Sequence, residues 1–95
     1  MTFEWDENKS RTNKKKHGVT FEMAIRAFMD AKRIEKLDIK HSTLNEERIN
    51  IIGRVSNVLI LFVVSTNRNG RTRIISARRA EPSEEMEYYE NYDAR

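Results

Sequence analysis

The chain has 95 residues, of which 18 are Lys or Arg and 15 are Asp or Glu, and this predicts one small domain with a formal net charge of +3. No cysteine is present, which excludes a disulfide scaffold, a thiolate zinc site and a cysteine nucleophile. The longest apolar run, Val58–Val64, is far shorter than the roughly 18 residues that a membrane-spanning helix needs. The N-terminus lacks the basic and then apolar pattern of a signal peptide, so we expect a soluble cytoplasmic protein.

Charge is distributed unevenly along the chain. Residues 81–95 contain six carboxylates and one arginine, whereas residues 1–80 contain 17 basic and 9 acidic side chains, a net +8. A strongly basic body favours an anionic partner, and nucleic acid is the most economical choice. The alternative is a solvated charged surface followed by an acidic helix.

The N-terminal third predicts a short strand and two helices. Phe3–Trp5 alternates as a brief strand does, and Asp6 can cap a helix that runs to about Lys16 and stops before Gly18. This helix has no apolar stripe, which makes it a basic surface element. Thr20 can cap a second helix, whose apolar residues recur at helical spacing and are predicted to be core: Phe21, Ala24, Ile25 and Phe28.

The middle of the chain predicts strands. Arg33–Asp38 reads as a short strand, and a polar loop separates it from the alternating segment Arg48–Val55. Val58–Thr66 is almost continuously apolar, which is typical of a strand that is buried on both faces and therefore central. A turn at residues 67–70 leads into a third strand of the meander, Arg71–Arg78.

The last segment predicts a helix that begins at Pro82 and faces the sheet through Met86 and Tyr89, with Tyr92 next on the same side. The element order is then β-α-α-β-β-β-β-α. This order predicts an α+β fold in which a single antiparallel sheet of about four strands is packed by N-terminal and C-terminal helices, in one domain over residues 1–95.

The residues that could carry chemistry are histidines, glutamates and arginines: His17, His41, Glu46, Glu47, Arg48, Arg73, Arg78 and Arg79. These are the groups that a metal-independent ribonuclease needs, because RNA supplies its own nucleophile, the 2′-hydroxyl. A glutamate or a histidine can accept the 2′-OH proton, a histidine can protonate the leaving 5′-oxygen, and arginines can stabilise charge on the phosphate. A structural interpretation stays open for each: a cation at a helix end, a solvated loop residue or a surface ion pair.

The sequence predicts no metal and no cofactor. Neither His17 nor His41 has a carboxylate at the helical spacing that would make a mononuclear metal site persuasive. The chain also lacks a strand–turn–helix nucleophile elbow and a glycine-rich phosphate loop.

Four blocks of sequence resemble, in order, the BrnT-type toxins, over about residues 3–89. The blocks are Phe3-Glu4-Trp5-Asp6, Lys16-His17-Gly18-Val19, His41-Ser42 followed by Glu46-Glu47-Arg48, and Arg73-Ile74-Ile75-Ser76-Ala77-Arg78-Arg79-Ala80. The resemblance implies a RelE-like fold and a type II toxin endoribonuclease that cleaves RNA and inhibits translation. It further implies a BrnA-like antitoxin, usually of the ribbon-helix-helix type, with which the toxin would assemble as a dimer or a heterotetramer.

Carried onto this chain, the resemblance implies two sets of site residues. The catalytic set is His17, Glu47, Arg48, Arg78 and Arg79, and the RNA-binding set is Lys14, Lys15, Lys16, His41 and Arg73. We favour Glu47 as the base and His17 as the proton donor, with the reverse roles open and His41 a close second to His17. One departure from the family pattern concerns RNA binding: the last helix begins with acidic residues where basic ones are usual.

Two other functions fit the same composition. A non-catalytic nucleic-acid-binding module would use the same basic body, although the chain offers no exposed aromatic platform for base stacking. A subunit whose only role is to bind an antitoxin is the other alternative. Cleavage of RNA by the purified protein would distinguish an enzyme from both of these alternatives.

Overall fold

The structure, a computed structural model, describes residues 1–94 and follows the predicted order of elements, with one short 3₁₀ turn added. The elements are β1 (Phe3–Glu4), α1 (Glu7–His17), α2 (Phe21–Phe28), β2 (Ile34–Leu37), the 3₁₀ turn (Ile39–His41), β3 (Arg48–Ser56), β4 (Leu59–Arg68), β5 (Arg71–Arg79) and α3 (Pro82–Ala94). None of the helices within residues 1–94 is long and apolar enough to cross a membrane.

The sheet has five strands in the order β1-β5-β4-β3-β2, and one of its pairs is parallel. The prediction of about four antiparallel strands was therefore wrong in number and in one direction. β1 adds to the outer edge of β5 in parallel, with Phe3 opposite Thr72, and the Thr72 N–H donates to the Thr2 carbonyl at 2.8 Å. A two-residue strand gives no pattern from which the direction of pairing could be read.

The prediction that Val58–Thr66 forms a central strand is confirmed. β4 lies between β3 and β5 and pairs antiparallel with both. The turn into β5 uses Asn69 and Gly70, both with positive φ (53° and 77°), as a two-residue hairpin turn requires. Val58 itself lies in the turn before β4 and is exposed.

The two faces of the sheet pack against different helices. One face holds the larger core, in which Ile51, Leu61 and Ile74 pack beneath Phe21 and Phe28 of α2. The opposite face holds a smaller core, formed by three strand residues, the residue that follows β5 and one α3 ring: Ile34, Ile52, Ile60, Ala80 and Tyr88. Because α3 covers only one end of this second face, the other end is left without a helix, and we call it the open face.

α1 is held by polar contacts, since it offers no apolar stripe to the sheet. Asn13 is 6% exposed and its amide Nδ2 donates to the carbonyls of Val19 (2.8 Å) and Ala77 (2.7 Å). The Ala77 N–H donates back to Asn13 Oδ1, so Asn13 satisfies the outer edge of β5 where β1 has ended. Ser10 Oγ accepts from the Phe21 N–H at the start of α2.

α3 packs through a different residue from those expected. Tyr88 is completely buried, whereas Met86, Tyr89 and Tyr92 are 63%, 43% and 39% exposed. The Arg54 guanidinium explains the shift, because it lies 5.7, 5.5 and 5.6 Å from the ring centroids of Tyr88, Tyr89 and Tyr92 and so holds all three rings against β3.

Candidate active site

The strand register brings arginines from distant parts of the sequence onto the open face. Arg48 of β3 is opposite Thr66 of β4, and Thr66 is opposite Arg73 of β5. In the next row of paired residues on this face, Asn50 of β3 and Ser76 of β5 lie on either side of Val64 of β4. With neighbouring strands about 4.8 Å apart, each row places its two outer residues about 10 Å from one another. Apart from Val64 at the centre of the second row, the open face is therefore a polar strip about 10 Å wide.

The predicted Glu46-Glu47-Arg48 block lies at the start of β3, at one corner of the open face. Arg48 Nε lies 3.5 Å from a Glu46 carboxylate oxygen, and Arg68 reaches the other oxygen of the same carboxylate, also at 3.5 Å. The Arg48 Nε atom is shielded from solvent and makes no hydrogen bond in the described part of the chain. Glu47 is exposed, and its backbone carbonyl accepts from the Thr66 hydroxyl at 2.7 Å. Arg48 is thus only loosely held by protein groups.

His41 is oriented by a carboxylate. Its Nδ1 lies 2.9 Å from Asp38 Oδ2, which also accepts from Asn50 Nδ2 at 3.3 Å. The His41 hydrogen bond, followed by that of Asn50, lowers the pKa of Asp38 below its ordinary value, although Asp38 is slightly desolvated. Because the carboxylate occupies Nδ1, Nε2 of the ring is directed away from Asp38 and can exchange a proton with a ligand.

Backbone contacts fix this histidine loop to the start of β3. Ser42 Oγ donates to the Asp38 carbonyl at 2.6 Å and accepts from the Arg48 N–H at 2.9 Å. The Asp38 N–H donates to the Arg48 carbonyl at 2.8 Å. His41 and Arg48 are therefore parts of one hydrogen-bonded corner, in agreement with their placement in one sequence block.

The remaining predicted arginines differ in how they are engaged. Arg73 is paired with Glu4 of β1 at 2.8 Å. Arg78 makes two hydrogen bonds to Glu84 of α3, at 2.8 and 2.9 Å. Arg79 is exposed, and alternation along β5 sends its side chain to the other side of the sheet from Arg78.

His17 and Lys16 lie at the opposite margin of the open face from His41. They line a groove of about 310 Å³ between α1 and the outer edge of β5, together with polar α1 residues, Ile75 and Ser76. Ser76 belongs both to this groove and to the open face, so the two are continuous. Lys14 and Lys15 are exposed at the same end of α1.

Sequence reasoning missed the groups that hold the site together. Asp38 lies three residues before His41, a spacing that could have indicated the pair, but the loop had no predicted structure to give that spacing meaning. Asn50 and Ser76 reach the site only through the strand register. The described residues contain no group of three or more His, Asp or Glu side chains that could hold a metal ion.

The fold and the site together define a class: a small α+β domain with a basic, polar strip on an open sheet face, flanked by two histidines. A family model described as "Ribonuclease toxin, BrnT, of type II toxin-antitoxin system" matches residues 5–84. The chain therefore belongs to the BrnT family of ribonuclease toxins, and the resemblance seen in the sequence is confirmed. Membership of a type II system implies a protein antitoxin as partner.

A solved structure supports the same assignment. The chain is similar to the ribonuclease toxin BrnT of Brucella abortus, known from a crystal structure at 1.1 Å resolution, with a TM-score of 0.63. The two share 26% sequence identity, over 85% of this chain and 97% of that one. Comparison with curated proteins gives no match.

Proposed function

We propose that this protein is a metal-independent endoribonuclease that cleaves RNA by attack of the 2′-hydroxyl. The observation that carries the proposal is the corner beside the open face in which loosely held Arg48 is joined by hydrogen bonds to the Asp38–His41 pair, with exposed Glu47 next to Arg48 in the chain. This corner supplies a proton acceptor, a proton donor and a phosphate ligand, and RNA supplies the nucleophile.

The RNA strand crosses the open face between two basic margins. Lys14, Lys15 and Lys16 of α1 make no ion pair within residues 1–94, so their charge is available to phosphates. The groove beside His17 accepts a nucleotide that flanks the reacting phosphate. Arg73 contributes from the β5 side of the strip, although it must share its charge with Glu4.

The chemistry at the corner is a transesterification. Glu47 removes the proton of the 2′-OH, whose oxygen forms a new bond to phosphorus while the bond from phosphorus to the 5′-oxygen breaks. His41 gives a proton to that 5′-oxygen, and Arg48 stabilises the charge on the five-coordinate phosphate. The products are a 2′,3′-cyclic phosphate, which can hydrolyse to a 3′-phosphate, and a 5′-hydroxyl.

We place His41 rather than His17 in the donor role, which differs from the preference drawn from the sequence. Both histidines are exposed, but His41 shares a hydrogen-bonded corner with Arg48 and is oriented by Asp38, whereas no residue in the described part of the chain orients the His17 ring at the end of α1. Asp38 would stabilise the protonated imidazole without becoming protonated itself. The catalytic roles of Glu47, Arg78 and Arg79 stay predictions.

In a cell, cleavage of RNA by this toxin would inhibit translation, and a ribbon-helix-helix antitoxin would neutralise it. A complex of two toxins with two such antitoxins is the assembly we propose, since ribbon-helix-helix proteins are dimers.

The test compares His41→Gln and His17→Gln proteins on a defined RNA, with excess EDTA present. We expect wild-type cleavage to persist in EDTA and to stop on a substrate with hydrogen in place of the 2′-OH at the cut site. Loss of the proton donor in His41→Gln should slow cleavage by roughly 10²–10⁴-fold. His17→Gln should act mainly on RNA affinity.

Four results would contradict the proposal. Loss of activity in EDTA, or survival on the 2′-deoxy substrate, would overturn the mechanism. A larger rate effect from His17→Gln than from His41→Gln would move the donor to the α1 margin. Absence of any cleavage, with RNA still bound, would favour a nucleic-acid-binding module.

A further inference from the structure

α3 presents two carboxylates to cations at the edge of the open face. Glu84 binds Arg78, and Glu87 binds Lys36 of β2 at 2.7 Å through one oxygen and 2.9 Å through the other. In register, Lys36 lies in the same row as Asn50. Both cations therefore border the polar strip from the α3 side, as Arg48 and Arg73 border it from the other side.

The geometry of Arg78 is that of a phosphate ligand. Its two terminal nitrogens bind the two oxygens of Glu84, and its guanidinium lies 4.3 Å from the centroid of the Phe62 ring. A planar guanidinium binds a carboxylate and a phosphate with the same forked pair of hydrogen bonds. The hydrogen bonds that Arg78 donates to Glu84 raise the pKa of Arg78 above its ordinary value.

Not every acid of α3 is used in this way. Glu85 and Glu90 lie on the same helix and make no side-chain ion pair within residues 1–94. Their side chains carry the same charge as Glu84 and Glu87 but reach none of the open-face cations. The two pairs are therefore specific contacts and not a general consequence of an acidic helix.

We propose that Arg78 and Lys36 form a second phosphodiester-binding subsite, and that the Glu84 and Glu87 carboxylates occupy it when no RNA is bound. This deepens the proposed ribonuclease function and rests on it. The RNA backbone would displace the Glu84 and Glu87 carboxylates, while the Glu81 carboxylate, 4.0 Å from Arg78, stays beside the subsite. The backbones of Lys36 on β2 and Arg78 on β5 are three strand spacings apart, and their cationic ends converge on carboxylates three residues apart on α3, which suits phosphates of one strand.

The exchange needs only side-chain movement. α3 is anchored elsewhere, because Tyr88 is completely buried and its hydroxyl donates to Asp30 at 2.6 Å. Glu87 is about one-third exposed and its partner Lys36 is half exposed, so their pair is open to solvent and to competing anions. Glu84 also accepts from the Glu81 N–H at the start of α3, a bond that a glutamine oxygen can keep.

The experiment measures binding of a short 2′-O-methyl RNA, which offers phosphates but no 2′-OH, as a function of salt. E84Q/E87Q is compared with E85Q/E90Q, which changes the net charge by the same amount on the same helix. We expect E84Q/E87Q to bind on the order of tenfold more tightly than E85Q/E90Q. Its plot of log affinity against log salt should be steeper by about 1.4, because each phosphate contact on a single strand adds about 0.7.

Two further variants keep the test decisive if E84Q disturbs the start of α3. E87Q alone leaves Arg78 and the helix terminus unchanged, and should steepen the salt plot by about 0.7. K36Q in the E87Q background should remove that gain. Equal affinity and equal slope for E84Q/E87Q and E85Q/E90Q would overturn the subsite.

The two proposals fail in different ways. Tighter and more salt-dependent binding by E84Q/E87Q, in a protein that never cleaves RNA, supports the subsite and overturns the nuclease. Cleavage by the wild type with no difference between the two double variants overturns the subsite and leaves the nuclease standing.

Discussion

Asn13 shows how much one polar side chain can do in a helix without an apolar stripe. Its amide bridges α1, the α1–α2 connection and the outer edge of β5 through Val19 and Ala77. Asn13→Ala removes three hydrogen bonds and leaves buried backbone groups without partners, so we expect a loss of about 2–3 kcal/mol in the free energy of unfolding. Urea unfolding measures this, with exposed Thr12→Ala on the same helix as the control. Equal stability of the two variants would show that α1 is held by other contacts.

At the same scale, the sequence identified reactive residues better than it identified their partners. Arg48 and His41 could be singled out because residue type alone suggested their chemistry. The carboxylates that engage Arg73 and Arg78 could not be assigned, because Glu4 lies 69 residues away from Arg73 and Glu84 belongs to another element. The burial of Asn13 could not be predicted, since nothing in local spacing distinguishes a buried asparagine from an exposed one.

At the scale of elements, α2 and β3 approach one another as closely as their backbones allow. A Cβ placed on Gly53 would lie 2.5 Å from the Ala27 carbonyl oxygen and 2.9 Å from its Cα. Gly53→Ala must push α2 away from the sheet, and we expect it to cost about 1–3 kcal/mol. Thermal unfolding measures the loss, and Ser56→Ala at the exposed end of the same strand is the control. A Gly53→Ala protein as stable as that control would show that α2 shifts without cost.

Hydrophobic periodicity correctly predicted the elements that have strong apolar patterns. It failed where a long-range contact determines the orientation of a helix or the direction in which a strand pairs. β4 and α2 have clear apolar patterns and were placed correctly, although Ile25 is only partly buried while Ala27 is completely buried. The prediction of which side of α3 is buried was wrong, because Arg54 of β3 packs against the tyrosine rings of α3 and so sets the rotation of the helix. The parallel β1–β5 pair depends on two residues, too few for any pattern.

At the scale of the whole molecule, Asp30 joins three parts of the fold. It follows α2, and its carboxylate accepts from the Arg54 N–H of β3 at 2.8 Å and from the Tyr88 hydroxyl of α3 at 2.6 Å. Burial opposes its ionisation, but these hydrogen bonds, that of Tyr88 first, lower the pKa of Asp30 below its ordinary value. Burial, and then the bond to Asp30, raise the pKa of Tyr88 well above its ordinary value.

These two shifts predict a stability that falls at both ends of the pH range. A carboxyl whose pKa is lowered by folding stabilises the protein above its unfolded pKa of about 3.9, and that contribution is lost as the pH falls through the folded value. A tyrosine whose pKa is raised by folding contributes fully below its unfolded value of about 10, and that contribution is lost as the pH rises above it.

Asp30→Asn should therefore lower the free energy of unfolding at pH 7 by about 2 kcal/mol and flatten its decline between about pH 5 and pH 3. Urea unfolding at a series of pH values tests this against Glu90→Gln, an exposed acid of α3. An Asp30→Asn curve that runs parallel to the wild type on the acid side would show that other carboxylates govern acid unfolding.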